Sequence, residues 1–398
     1  MINYALRSLI PNIKKSKPIR ATIQTIPPLR NSNAATPIPH SPVKETYTAT
    51  IINTNPTSIS AHLFILSFIS YLFVFKKILF FQYRNAYVFK IGFLQIIMRE
   101  IKPIKIEKDM KVSELVDGMG SMGFGAGKIS KASSIMKRMF QDEDCKVFFG
   151  LAGAMVPAGM RKVVTDLLDE IDVFVTTGAN LTHDLIESLG EKHYLGDEFV
   201  SDSKLNEEGI DRIYNVFMKN EVYVKLENFF KENFNELKDC ESIKEFLWKL
   251  GELAPGESIL KKCFDKKIPI FCPGIADSGI GLMIWGRIIE EKQKTDIDVF
   301  SDINDIIDIS WASKKTGIIY VGGGLPKNFI QQSLQFSKGA DYGIQITTDR
   351  AESGGSSGAP LKEGISWGKM KKNADFVDVF CDATIALPLI YGAIKNNC

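Results

Sequence analysis

Residues 352–370 read ESGGSSGAPLKEGISWGKM, a run of small residues that ends in Ser366-Trp367-Gly368-Lys369. A lysine beside a tryptophan on a glycine-rich loop has the makings of an amine nucleophile. Desolvation or a nearby cation lowers a lysine's pKa, and the neutral amine then attacks a carbonyl or imine carbon. The Trp367 face can hold a substrate ammonium, an attraction of about 0.5–2 kcal/mol depending on desolvation. Glu363 lies six residues before Lys369 and could pair an ammonium. Spacing alone favours the plainer reading, a surface lysine beside a packing tryptophan.

Small residues at strand ends form a second set of candidates. Gly322-Gly323-Gly324 follows the apolar run 317–321 (GIIYV), and glycines there let the backbone approach a ligand; a tight turn without a ligand is the alternative. Asp382 follows the run 377–381, where a carboxylate can accept from a ribose diol or cap the next helix. Two motif-like runs carry less. Residues 118–123 spell GxGxxG, but 112–117 before them reads as a short amphipathic helix, not a buried strand. Gly127-Lys128 resembles the end of a phosphate loop, yet Ile129 stands where Ser or Thr should bind magnesium and Met122 where the first Gly belongs.

These residues need a scaffold, and the pattern supplies one. Strands are predicted at 146–151 (KVFFGL), 171–175 (IDVFV), 267–272 (KIPIFC), 317–321, 342–347 and 377–381, with helical spacing over 159–169 between the first two. Alternating strands and helices imply a parallel sheet covered on both faces. In such sheets ligands bind beyond the carboxyl ends of the strands, where glycine-rich turns meet helix N-termini. Thr176-Thr177-Gly178, Pro273-Gly274, the Gly322 triplet and Asp382-Ala383 all fall there. Residues 204–265 are more charged and read as a helical insertion, for example over 224–237, with no chemistry of its own.

Composition divides the 398 residues at Met98, the first Met after Met1. Residues 1–97 hold eleven Lys and Arg against a single acid, Glu45, while 98–398 hold 38 Lys and Arg against 46 Asp and Glu. Gly92 is the one glycine of 31 in the first segment, which also carries eight of the 16 prolines. Residues 1–60 read as disordered. The apolar run 63–75 (LFILSFISYLFVF) is shorter than the roughly 20 residues a helix needs to cross a bilayer, so no stable membrane insertion is expected. Proline density argues against an amphipathic transit peptide. The expected organisation is an N-terminal extension over 1–97, disordered or a mis-assigned start, and a catalytic domain over 98–398. The six scattered cysteines lack a CxxC and support neither a zinc site nor a disulfide framework; free thiols in a reducing cytosol are expected. An acidic body without a basic stripe argues against nucleic acid.

Ser366 to Lys369, the loop before them and Asp382-Ala383-Thr384 resemble the signature of the deoxyhypusine synthase family. The similarity runs back through Gly339-Ala340-Asp341-Tyr342, the Gly322 triplet, residues 273–281, Thr176-Thr177-Gly178 and 148–150. It covers essentially all of 98–398 and none of 1–97, and the stretches 151–161 and 176–184 look most like archaeal members. The resemblance implies an α/β fold: a Rossmann-like parallel sheet with helices on both faces, plus the helical insertion and a non-globular N-terminal extension.

It also implies a cytoplasmic transferase that uses NAD without net redox. Spermidine gives a hydride to NAD, the lysine matched by Lys369 attacks the resulting imine carbon, and 1,3-diaminopropane leaves. The 4-aminobutyl group then passes to one lysine of the translation initiation factor 5A precursor, the first step of hypusine formation. Transfer to free putrescine, as in homospermidine synthase-like enzymes, is the alternative. A catalytically silent NAD-binding module is a third reading, and the intact Ser366–Lys369 run argues against it. Family members are homotetramers with sites between paired subunits. Cofactor-contacting positions are matched by Thr176, Thr177, Gly178, Asp277, Gly322, Gly323, Thr348, Asp382 and Ala383. Substrate-side positions are matched by Glu363, Trp367 and Asn328, and no metal is implied. The acidic body suits a polycationic substrate.

The chain departs from eukaryotic members at several places. Thr182 and His183 replace a glutamate pair, Leu282 replaces an acid, Asn328 replaces a histidine, and Ser353 and Ser356 stand where acids are usual. Asp184, Glu187 and Glu352 are the candidates to replace the lost acids. His183 reads as a hydrogen-bonding polar residue in preference to a metal ligand.

Overall fold

The computed structural model describes residues 98–292, 294–295 and 297–395. The expectations for 1–97 lie outside the described residues. Helices α1 (Val112–Met119) and α2 (Phe124–Gln141) lead into β1 (Cys145–Leu151). A wide turn at Val156–Met160 and α3 (Arg161–Leu167) cross to β2 (Val173–Thr176), and α4 (Gly178–Ser188) follows. The insertion comprises β3 (Tyr194–Leu195), α5 (Asp202–Glu207), β4 (Ile210–Ile213), β5 (Val216–Lys219), α6 (Val222–Leu237), α7 (Ile243–Leu253) and α8 (Ile259–Lys266). The chain returns through β6 (Ile270–Phe271), α9 (Gly279–Glu291), α10 (Ser301–Ala312), β7 (Lys315–Val321), α11 (Gly324–Gln335), β8 (Ala340–Thr347), β9 (Met370–Phe380) and α12 (Ala383–Lys395).

Six strands form one sheet in the order β6-β2-β1-β7-β8-β9, and every pairing in it is parallel. This is the doubly wound order in which the chain starts at the centre, works outward to one edge, then returns and works outward to the other. The α/β expectation therefore holds. Both faces are buried, as the alternation along β7 shows. Ile319 and Val321 join the larger core with α2, α4 and α12, while Ile318 and Tyr320 join a smaller core with Ile306 of α10 and Ile330 and Leu334 of α11. Near-continuous apolar strands such as Lys315–Val321 follow from this two-sided burial.

Three boundaries differ from the sequence reading, each for a physical reason. The insertion is not purely helical: β4 and β5 make a hairpin in which Ile213 pairs with Val216, and β3 extends it to three strands. The two-residue turn is set by Tyr214, whose φ of 54° is left-handed, as such turns require. The strand predicted at 267–272 shrinks to Ile270–Phe271 because Lys267 ends α8 in the left-handed region. The strand predicted at 377–381 begins at Met370, since Lys371, Lys372 and Asn373 lie on an edge strand where polar residues face water. Residues 118–123 close α1 and turn into α2, with no strand before them among the described residues. Among the described residues no helix is long and apolar enough to cross a membrane.

Candidate active site

The sheet reverses its winding between β1 and β7, and ligands of doubly wound sheets bind beyond the carboxyl ends at such a point. Two backbones meet there: the segment after β1 and the glycine triplet after β7. Gly322 has φ +71°, and a Cβ on it would lie 3.2 Å from the Ala152 Cβ. A Cβ on Gly323 would lie 2.2 Å from the Ser357 Cα, so only glycine lets the 350s loop close over this turn. The segment after β1 is held by Asn180, whose Oδ1 accepts from the amides of Met155 (3.1 Å) and Val156 (3.3 Å). Sequence reading passed over Asn180. Its position three residues after Thr177 was the available signal.

Residues 176–178 and 277 reach the same edge. Thr176 is buried, and its hydroxyl donates to the Leu151 carbonyl at 2.9 Å, tying β2 to β1. Its side chain is therefore engaged within the fold. Thr177 caps α4 by accepting from the Asn180 amide at 3.4 Å. Gly178 packs on Ser278, which brings the exposed Asp277 alongside. Thr348 and Asp382 follow β8 and β9 at that edge, and both are exposed. The Asp382 Oδ1 accepts from the Thr384 amide and hydroxyl, both at 2.7 Å, so the helix-capping reading is realised by one of its oxygens. Ala383 opens α12 beside it.

Lys369 enters from elsewhere. Its carbonyl accepts from Ala340 at the start of β8, whereas the Gly322 amide donates to Ile346 near the end of that strand. At about 3.3 Å per residue the two backbones stand roughly 20 Å apart along the sheet. The loop 348–369 spans this distance, descending the face covered by α11. At its end the Lys369 Nζ lies 5.1 Å from the Trp367 ring centroid, a cation–π distance, with Trp367 exposed. Glu363 is exposed one short helical turn earlier, and its carbonyl accepts from the Ser366 hydroxyl at 2.9 Å. The structure thus joins Lys369, Trp367 and Glu363, and separately joins the residues of the carboxyl edge.

Between the two groups sits Lys327, which sequence reading missed. It is 2% exposed, and its ammonium donates to the carbonyls of Ser356 (2.7 Å) and Ala359 (2.6 Å). Gln345 donates to Ala359 as well, at 3.2 Å. Burial pulls the Lys327 pKa down to about 8; the charges of Asp378 and Glu363 oppose this, and that of Lys369 reinforces it. The Leu361 amide donates to Asp378 at 3.0 Å, completing the clasp on the loop. Asn328, the next residue on α11, is partly exposed.

The acids expected to replace lost carboxylates are otherwise engaged. Asp184 is fully buried and accepts from the amides of Ile259 (2.9 Å) and Leu260 (3.0 Å) at the start of α8. Burial raises its pKa to about 7 against those bonds. Glu187 pairs with Arg161 at 2.9 Å and with His193 at 2.8 Å. His193 in turn bonds His183 at 2.9 Å, so His183 is a buried hydrogen-bonding residue, its pKa pulled down to about 4 mainly by burial. Of the three candidates only Glu352 is exposed on the loop.

Sheet order, glycine edge and loop lysine define an α/β enzyme of the Rossmann-like class. The deoxyhypusine synthase family model matches residues 114–394. A protein of Archaeoglobus fulgidus named as a probable deoxyhypusine synthase is 43% identical over 304 residues, 76% of this chain and 99% of its own length. A second, from Methanosarcina acetivorans, is 42% identical over 302 residues, 75% of this chain and 95% of its own. A crystal structure from Entamoeba histolytica, described as that of a "putative deoxyhypusine synthase", shares the fold with a TM-score of 0.53 at 20% identity, covering 74% of this chain and 96% of its own. The chain belongs to the deoxyhypusine synthase family, enzymes of hypusine formation that transfer an aminobutyl group, and the two sequence relatives described above are archaeal.

Replacing Lys327 with Met should destabilise the fold by about 1–3 kcal/mol in denaturant melts, because the Ser356 carbonyl loses its donor. The folded lysine releases its proton near pH 8, before the unfolded one, so the parent gains stability as pH rises from about 8 towards 10.5. The variant should lack that slope. Equal stability at every pH would show that the ammonium does not hold the loop.

Proposed function

We propose that this enzyme carries the 4-aminobutyl group of spermidine on Lys369 and delivers it to one lysine of the translation initiation factor 5A precursor, using NAD. The observation that carries the reading is the Lys369–Trp367 pair on a pinned loop. NAD, when bound, supplies a hydride acceptor for the amine carbon and returns the hydride at the end, so no net redox is needed. The chain fits such a group: Gly322 and Gly323 offer backbone without side chains, and α4 opens with Thr177-Gly178 at the same edge. The exposed Asp382 keeps one carboxylate oxygen outside its cap for a ribose diol.

The chain's own residues then act in order. Trp367 and Glu363 hold the cationic amine, the ring through its face and the acid through its charge. The Lys369 amine bonds to the oxidised carbon, and the carbon–nitrogen bond to 1,3-diaminopropane breaks. The acceptor lysine displaces Lys369 in the same way, which regenerates the free amine.

The roughly 20 Å between Lys369 and the glycine edge supports a site shared between paired copies in a homotetramer. Leu282, Trp285 and Ile289 form an exposed apolar stripe on α9, and Trp311 and Phe336 are also exposed, more than a lone chain usually shows. The free thiols among the described residues, Cys145, Cys240, Cys263, Cys272 and Cys381, suit a cytoplasmic setting.

Lys369→Ala should abolish diaminopropane release while NAD affinity stays within about threefold, since only the covalent step is lost. Normal turnover in that variant would refute the mechanism. Asp382→Asn keeps the capping oxygen but removes the charge, and calorimetry should show NAD binding at least fivefold weaker by order of magnitude, with thermal stability unchanged. Unchanged affinity would remove Asp382 from the cofactor site.

A further inference from the structure

Three side chains form a hydrogen-bonded chain along α4. His193, just before β3, places its Nδ1 2.8 Å from the Glu187 Oε1 and its Nε2 2.9 Å from the His183 Nδ1. Arg161 of α3 anchors the far end. Its Nε lies 2.9 Å from the other Glu187 oxygen, and its Nη1 donates to the Glu257 carbonyl at 3.0 Å. The His193 side chain is 5% exposed, so water competes little for these bonds.

The order of the groups dictates where the protons sit. An ionised carboxylate only accepts, so neutral His193 donates from Nδ1 and accepts at Nε2. His183 must then donate from Nδ1, which leaves its own Nε2 as a bare lone pair. That nitrogen makes no hydrogen bond among the described residues. It is not sealed in: the buried side-chain polar atoms left unpaired there are Asp302 Oδ2, Tyr320 Oη and Gln345 Oε1, and His183 itself is 9% exposed.

Position gives the lone pair a use. α4 opens at Gly178 on the carboxyl edge, and the exposed Ala179 stands one turn before His183 on the same helix face. Helical side chains lean towards the helix N-terminus, so His183 leans towards that edge. Glu187 stands one turn further in. The charges that bear on His183 are those of His193 and Glu187. Burial, and next the His193 charge, pull its pKa down to about 4, and Glu187 opposes them. Neighbouring ions are engaged: Glu191 pairs with Lys225, and Asp184 holds the α8 amides. A proton entering at Nε2 is therefore better held on His193, against the Glu187 carboxylate.

We propose that Glu187, His193 and His183 form a proton relay in which the His183 Nε2 takes a proton from a substrate ammonium at the carboxyl edge. The step balances. The proton bonds to Nε2, the Nδ1 proton of His183 passes to the His193 Nε2, and His193 becomes an imidazolium paired with Glu187. His183 stays neutral, its proton moved from one nitrogen to the other. The identity of the amine rests on the spermidine reading above. A carbon beside an ammonium gives up a hydride only after the nitrogen is deprotonated, because the freed lone pair stabilises the cation formed. The relay returns the proton to the departing 1,3-diaminopropane. His183 is then the catalytic base, and His193 and Glu187 are positioning residues.

The test uses the full chain labelled with nitrogen-15 histidine. Long-range proton–nitrogen spectra read which ring nitrogen carries the proton, with no turnover needed. The parent's His183 should be protonated at Nδ1 at high pH and at Nε2 once His193 has taken up a proton. NADH formation from NAD and spermidine then reads the chemical step. His193→Gln can still bridge Glu187 and His183 but cannot pass a proton. It should slow NADH formation about a hundredfold near neutral pH, with NAD affinity within about twofold of the parent's. Its rate should keep climbing with pH where the parent's levels off, since the substrate must lose its proton to solvent. His183→Gln should behave alike. A merely structural role would lower the rate equally at every pH. A His183 that becomes charged while His193 stays neutral, or a His193→Gln enzyme with the parent's rate and pH profile, would overturn the relay. A parent that forms no NADH but still shifts its His183 proton would keep the relay and overturn the spermidine reading instead.

Discussion

The buried ammonium of Lys327 is the contact on which the site depends. Its bonds to the Ser356 and Ala359 carbonyls, with those of Gln345 to Ser357 and Ala359 and of Asp378 to Leu361, fix the middle of a loop rich in glycine and serine. Burying a charge is costly unless hydrogen bonds satisfy it, and the two carbonyls, with Asp378 and Glu363 nearby, do so. With its middle fixed, the loop can carry Lys369 down the sheet and seat its carbonyl on Ala340. The charge of Lys369 in turn adds to the burial that pulls the Lys327 pKa down.

The sheet sets where everything else goes. Starting at β1 and winding outward twice leaves a gap at the carboxyl ends of β1 and β7, and the Gly322 turn and the Asn180-held segment flank it. Both faces are buried, so the functional loops have only the strand ends and the sheet's outer layers to occupy. Within one chain the glycine edge and Lys369 end up at opposite ends of β8.

Much of this was legible from residue types. The run GIIYV before three glycines reads as a buried strand entering a tight turn, and it is one, because parallel strands covered on both faces are apolar throughout. The helix Val222–Leu237 shows its period directly. The hairpin at 210–219 was hidden because its residues are mostly half-buried and mix charge with apolar groups. The full length of β9 was hidden because edge strands tolerate lysines. Lys327 was the hardest to find. A lysine in the first turn of a helix opposes the helix dipole, and that mismatch was its one sequence signal. The engagement of Asp184 and Glu187 within the fold could not be read from spacing, since their partners lie far along the chain or in a separate loop.

Covalent transfer through Lys369 is best tested by trapping. The purified chain is incubated with NAD and spermidine, treated with borohydride, digested and weighed peptide by peptide. A reduced butylamine adduct on the peptide containing Lys369, lost when NAD is omitted, is the predicted result. An unmodified Lys369 in protein that releases diaminopropane at its normal rate would contradict it.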